Sequence, residues 1–339
     1  MVVTERLRTR VIIRESWGFL LLSAVWSTVV VLLHDTAGLK FFMVPLQPVV
    51  TIGIVVSLYL GFKSSSSYDR WWEARKIWGS IINNSRTWAM TVKGVVPDTA
   101  EEAIRKRMIR RHLAWVYALA FQLRKNSRLQ PSDKSHMFGR RLADASAYAT
   151  HSMEAASRYL SPEEWEFVRS RKNPAVHILD LQAEDARGLL AKGVVDNNRL
   201  VQLTDLLGRL YDDQGKCERI KAAPFPRQIT HFGRLFTYLF IILMPLALLA
   251  PFEAVADLQK MGDDMAHEYI FTLVPFTVVV SWLFYMFEQV SESCEDPFEW
   301  GATDVPIAAI SRTIEIDLLQ MIGETDVPAP VEPRDGVLY

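Results

Sequence analysis

Charged residues vanish from four stretches of the chain, residues 16–34, 41–62, 235–252 and 269–287, and crowd together between the second and the third. Each stretch approaches the roughly 20 apolar residues that carry a helix across about 30 Å of hydrocarbon. A core helix of a large soluble domain would show a polar stripe along one side, and these stretches show none. The pattern therefore predicts four transmembrane helices. The first follows Arg6, Arg8, Arg10 and Arg14 as a signal peptide would, yet it lacks a small-residue cleavage site and a second apolar stretch follows at once, so it reads as a retained helix.

Lysine and arginine near membrane ends stay on the cytoplasmic side. The N-terminal arm carries four of the arginines, and the stretch after the second window carries Lys63, Arg70, Arg75, Lys76 and Arg86. Residues 253–268 instead hold Glu253, Asp257, Asp263, Asp264 and Glu268 beside the single Lys260. The expected layout is thus a cytosolic arm over 1–15, transmembrane helices 1 and 2 over 16–62, a cytosolic helical region over 63–230, helices 3 and 4 over 231–288, a cytosolic segment over 289–325 and an extended tail over 326–339. Both termini are placed in the cytoplasm, with the lipid bilayer as direct partner.

The region between the helix pairs reads as helical, with amphipathic runs over 101–125, 142–160 and 196–220 and no alternating strand-type segments. The fold class is therefore all-α. Breaks are expected at Pro97-Asp98, at Gln130-Pro131-Ser132 and at Ser161-Pro162, where Ser161 has the form of an N-cap and Glu164 that of its capping-box partner. Pro245, Pro251 and Pro275 are expected to kink or end the third and fourth membrane helices.

Composition narrows the chemistry. Half of the 339 residues are hydrophobic and the net charge is only −1, so nothing points to a nucleic-acid partner. Cys217 and Cys294 have neither disulfide nor zinc spacing, and the seven histidines are scattered, His112, His177 and His231 among them. No phosphate-binding glycine loop, nucleophile elbow or zinc-protease motif occurs, and His34 is the one ionisable group in a membrane window, at its edge. Neither an enzyme nor a cofactor or metal site is expected.

The second window carries the most information. Its apolar run passes into a polar, aromatic helix with Gly61 as the one weak point, so a single long helix leaves the membrane. On it Ile54, Leu58 and Phe62 share a face, and Gly53, Ser57 and Gly61 form a ridge of small residues about 100° away. Small ridges let membrane helices approach closely, and a ring of large apolar stripes makes a constriction that can dewet. On spacing alone such a stripe more often faces lipid or a neighbouring helix than a pore.

The segments Leu60-Gly61-Phe62, Arg70-Trp71-Trp72-Glu73-Ala74-Arg75, Trp78-Gly79, Cys217-Glu218-Arg219-Ile220 with Pro224-Phe225-Pro226, Glu295-Asp296-Pro297-Phe298 and Ile314-Glu315-Ile316-Asp317-Leu318-Leu319 resemble the bestrophin family, above all its bacterial members. The resemblance implies a homopentameric channel for small inorganic ions, chloride by family default, with a neck lined by Ile54, Leu58 and Phe62. A monovalent cation (sodium) channel is the alternative within the family, and a non-conducting membrane scaffold the alternative outside it. Leu58 stands where animal members carry a second phenylalanine, which weakens an anion preference arising from stacked aromatic rings. Asp69 and Glu73, at i and i+4 below the neck, would favour cations if they line the vestibule, and would do nothing of the kind if paired with Arg70, Arg75 or a neighbouring subunit's arginines. The acids Glu292, Glu295, Asp296 and Glu299 sit where animal members clasp calcium, but Pro297 and Phe298 interrupt them, so the segment is expected to tie the fourth membrane helix to the cytosolic region instead. Residues 195–201 are the candidate for a second constriction at the cytosolic exit.

Overall fold

In a computed structural model the chain is described over residues 1, 9–35, 43–97, 102–125, 153–223, 225–299, 301–333 and 336–338. Its regular elements there are helices: α1 Thr9–Asp35, α2 Leu46–Val95, α3 Glu102–Lys125, α4 Pro162–Arg169, α5 Pro174–Ala191, α6 Asn197–Ala222, α7 Arg227–Leu258, α8 Asp263–Phe271, α9 Leu273–Glu295 and α10 Ile307–Met321. Four of these segments are long and apolar enough to cross a membrane, at Ile12–His34, Leu46–Val95, Arg227–Leu258 and Asp264–Glu295. They are the four expected from the charge-free windows, and the chain is a membrane protein.

α1, the upper part of α2, α7 and α9 pack side by side. Phe19 stacks on Tyr285 with ring centroids 4.1 Å apart, the Trp26 indole donates to the Ile242 carbonyl at 3.0 Å, and the Trp282 indole donates to the Ser16 hydroxyl at 3.0 Å. Outward, each span shows apolar side chains, among them Leu22, Leu239, Phe276 and Phe287. A soluble monomer leaves no such continuous apolar surface exposed.

The 50-residue α2 joins this layer to a second helical block. At 1.5 Å per residue it is about 75 Å long, well over twice the hydrocarbon thickness. Gly61 does not interrupt it, since one glycine costs a helix only about 1 kcal/mol. In the block, Trp78, Ile81 and Trp88 of α2 are fully buried among Met108, Leu113 and Trp115 of α3, Ile178 of α5 and Leu210 of α6. The Trp115 indole donates to the Gln214 side chain at 2.9 Å, and the Glu218 carboxylate accepts from Gln122, Asn173 and Gln214 at 2.9, 2.8 and 2.8 Å. Arg111 bonds both Glu164 and Asp185, drawing α4 and α5 onto α3. Burial between Trp88 and Trp115 pushes the His112 imidazole down to about 3, so it stays neutral against the Ser85 hydroxyl at 2.8 Å.

The cap expected at Ser161 is present, closing α4 in a reciprocal box with Glu164 behind Pro162, and the Asp196 side chain caps α6 by accepting the Arg199 N–H at 2.8 Å. The break at Gln130-Pro131-Ser132, residue Asp98, and the run 142–160 up to residue 152 lie outside the described residues. Three boundaries are sharpened. Helix α1 starts at Thr9, so the second half of the arm expected over 1–15 is already helical. Neither Pro245 nor Pro251 ends its helix, for α7 runs through both. The fourth span is instead two pieces, broken at Thr272, whose hydroxyl donates to the Tyr269 carbonyl at 2.6 Å. Pro275 then falls in the first turn of α9, where a missing N–H removes no helical bond.

Candidate functional site

The apolar stripe of α2 is where side chains face away from the rest of the chain. Ile54 is 57%, Leu58 58% and Phe62 73% exposed, while Val56 and Leu60 on the opposite face are buried against Phe240 and Met244 of α7. Behind the stripe, Gly53 lies so close to α7 that an added Cβ would come 2.8 Å from Phe240 Cε2. Of the small ridge, Gly53 therefore packs within its own chain, whereas Ser57 and Gly61 stay exposed. The Ser57 hydroxyl is spent on the Gly53 carbonyl at 2.8 Å, so the ridge presents little polarity.

Directly below Phe62 the solvation pattern inverts. Lys63 is buried, and its Nζ lies 2.5 Å from Oε1 of buried Glu288 on α9. Arg234 of α7 stands 3.6 Å from the same oxygen and 2.9 Å from Glu292 Oε1. Sequence reading took Lys63 as a cytosolic orientation charge and passed over Glu288 and Arg234. The available signal was positional, because Lys63 and Glu288 are the first charges beyond the inner ends of two apolar windows that an even number of crossings places on one side.

One to two turns further down, Arg70 gathers the chain. Its guanidinium donates to the Glu295 carbonyl at 3.0 Å, the Ala223 carbonyl at 2.7 Å and the Ile220 carbonyl at 2.9 Å. Those are carbonyls at the C-terminal ends of α9 and α6, groups with no partner inside their own helices. The adjacent Trp71 indole donates to Thr303 O at 2.8 Å. Three of the sequence segments singled out above thus meet at one side chain.

Of the two carboxylates expected near a vestibule, Asp69 is exposed, whereas Glu73 meets Arg219 of its own chain at 2.6 Å, not Arg70 or Arg75. The acidic segment is engaged with cations: Glu292 with Arg234, and Glu299 with Lys221 at 2.5 Å. Among the described residues no group of three or more His, Cys, Asp or Glu is placed to hold a metal. The loop that follows is pinned by Asp304, whose carboxylate accepts the Gly301 N–H at 2.8 Å, and burial pushes that carboxyl up to about 7. At the proposed exit, Val195 is buried in the turn before α6, and Val201 in the first turns of α6 is 54% exposed. Cys217 is a buried free thiol, and burial raises it well above the usual thiol range.

The sequence profile of the bacterial and fungal bestrophin proteins matches residues 3–320. Among its relatives, the voltage-dependent anion channel-forming protein YneE of Escherichia coli K12 is 30% identical over 318 residues, spanning 93% of this chain and 89% of that one. A voltage-dependent anion channel-forming protein of Mesorhizobium japonicum is 26% identical over 313 residues, spanning 92% and 85%. Crystal structures of a bacterial bestrophin homologue from Klebsiella pneumoniae superpose with a TM-score of 0.72 at 25% identity over 90% of this chain and 97% of that one. A point variant of that homologue gives 0.71 at 26% identity over 92% and 99%. The chain belongs to the bacterial and fungal bestrophin family.

Proposed function

We propose that the chain forms a homopentameric channel for small inorganic ions, with chloride first among them, and that the α2 helices surround its central path. The observation that carries this reading is the stripe of Ile54, Leu58 and Phe62, held exposed on a helix whose other face is packed. Five copies around an axis turn that stripe into three stacked apolar rings, narrow enough to exclude water unless opened. The block below α2 is the cytosolic part, both termini lie in the cytoplasm and the membrane is the bacterial inner membrane. Family membership and the anion-channel names of the relatives support the ion class.

The cation alternative keeps one supporting observation. Asp69, two helical turns below Phe62, is exposed on the side that continues the stripe. Reversal potentials of the purified protein in planar bilayers across a KCl gradient decide between the two, since the sign follows the permeant ion. Leu58→Ala and Phe62→Ala are expected to raise the unitary current. Currents unchanged in both variants would remove the neck assignment, and no conductance at all from pure, intact oligomer would remove the channel.

A further inference from the structure

Phe62 is 73% exposed and the next residue, Lys63, is 1% exposed. The buried ammonium lies 2.5 Å from Glu288 Oε1, and Arg234 with Glu292 extends the contact into a cluster of two cations and two carboxylates drawn from α2, α7 and α9. Taking such charges out of water costs several kcal/mol per ion, and apolar side chains of the same volume often hold a fold equally well. Stability alone therefore does not explain the cluster, which sits where the apolar runs of α2 and α9 end.

What the pair supplies is register. Apolar contacts between helices tolerate small slides and rotations, whereas an ion pair at 2.5 Å between two buried groups is satisfied at one height and one azimuth of α2. Phe62 and Lys63 are neighbours on the helix, about 100° apart, so fixing one direction fixes the other. One turn higher the same side is keyed sterically. The Tyr59 ring lies over Gly233 of α7, where an added Cβ would collide with the ring, and the phenol donates to the Thr230 carbonyl at 3.5 Å.

We infer that the Lys63–Glu288 pair is the device that aims the last ring of the neck: it locks α2 so that Phe62 projects into the ion path, and Lys63 and Glu288 are positioning residues for permeation. This rests on the pore reading of α2. Phe62 is itself 73% exposed, so without the pair its direction is held less closely, and the constriction relaxes.

The test is the paired variant Lys63→Leu with Glu288→Leu, which removes both charges together and leaves Arg234 with Glu292. Unitary currents are recorded in planar bilayers with Phe62 present and in the Phe62→Ala background, alongside thermal unfolding of the same samples. The expected result is a current raised about threefold with Phe62 present, a change below about 1.5-fold in the Phe62→Ala background, and a preserved unfolding midpoint. Lys63→Met with Glu288→Gln, which keeps both side-chain lengths, takes the same measurement if the leucine pair does not assemble. A wild-type current in the paired variant, or an equal rise in both backgrounds, would overturn the inference. Failure of the pore reading looks different, because Phe62→Ala by itself would then leave the current unchanged.

Discussion

Replacing Arg70 should loosen the junction between the membrane layer and the helical block in a graded way. The guanidinium makes three charge-assisted bonds to carbonyls, at 3.0, 2.7 and 2.9 Å, and reaches them from one planar fork. A hydrogen bond to a charged group contributes about 1.5–3 kcal/mol net when partly buried. The Ala223 contact is exposed and deserves only about 0.5 kcal/mol, while the other two are part-buried. Arg70→Met, which keeps the apolar stem, should therefore cost about 3–6 kcal/mol, a little less than the sum because the three bonds act as a unit. Lysine is the discriminating substitution. It preserves the charge but offers a point donor that satisfies one of the three carbonyls, so Arg70→Lys should lose about 2 kcal/mol. Thermal unfolding of detergent-solubilised wild type and both variants, followed by tryptophan fluorescence, should rank the midpoints wild type, lysine, methionine. If Arg70→Lys unfolded with the wild type, charge alone would be enough and the argument from the fork would fail.

Two further outcomes follow from buried groups. Gly233→Ala should destabilise by about 1–3 kcal/mol through overpacking against Tyr59, and Tyr59→Leu should relieve it in a double variant, read by the same unfolding assay. Asp304 has a carboxyl raised from 3.8 to about 7 by burial, so between those values the native state holds more protons than the unfolded one. Its contribution is complete at low pH and is lost as pH rises toward 7, by at most about 1.4 kcal/mol per unit. Asp304→Asn, which keeps an acceptor for the Gly301 N–H, should flatten that decline, and equal pH slopes for the two proteins between pH 5 and pH 8 would contradict it.

The membrane spans were legible because charge-free runs are a one-dimensional signal, and the continuity of α2 was legible because Gly61 is a weak breaker. The stripe of Ile54, Leu58 and Phe62 was legible as a helical face, and its exposure in the chain agrees with that face. What sequence spacing could not supply were partners distant along the chain. For Glu73 the sequence offers Arg70, Arg75 or a neighbouring subunit's arginines, whereas the cation beside it is Arg219, on α6 of the same chain. Lys63 was counted with the solvated charges that orient a loop, and only the packing of α9 against α2 shows its ammonium buried on Glu288. The break at Thr272 escaped for a local reason, since a proline within the first turn of a helix marks a start and Pro275 was read as an interruption.

The same partner assignments bear on how the proposed channel would select ions. With Glu73 joined to Arg219 and the Arg70 fork occupied by carbonyls, the exposed groups that continue the Phe62 stripe down α2 are Asp69 and, two turns on, Lys76. In a pentamer these make one acidic ring and one basic ring a further two turns, about 10 Å, below it. That separation is close to the Debye length at physiological ionic strength, so each ring is largely screened from the other and neither sign governs the whole vestibule. Discrimination then falls to the neck, where Ile54, Leu58 and Phe62 offer no hydrogen bond in exchange for hydration water, and an ion passes according to how readily it sheds that water and how the Phe62 ring is turned toward it. A neck that selects in this way depends on the orientation of one aromatic ring, which is the quantity that a buried ion pair on the adjacent residue is suited to hold.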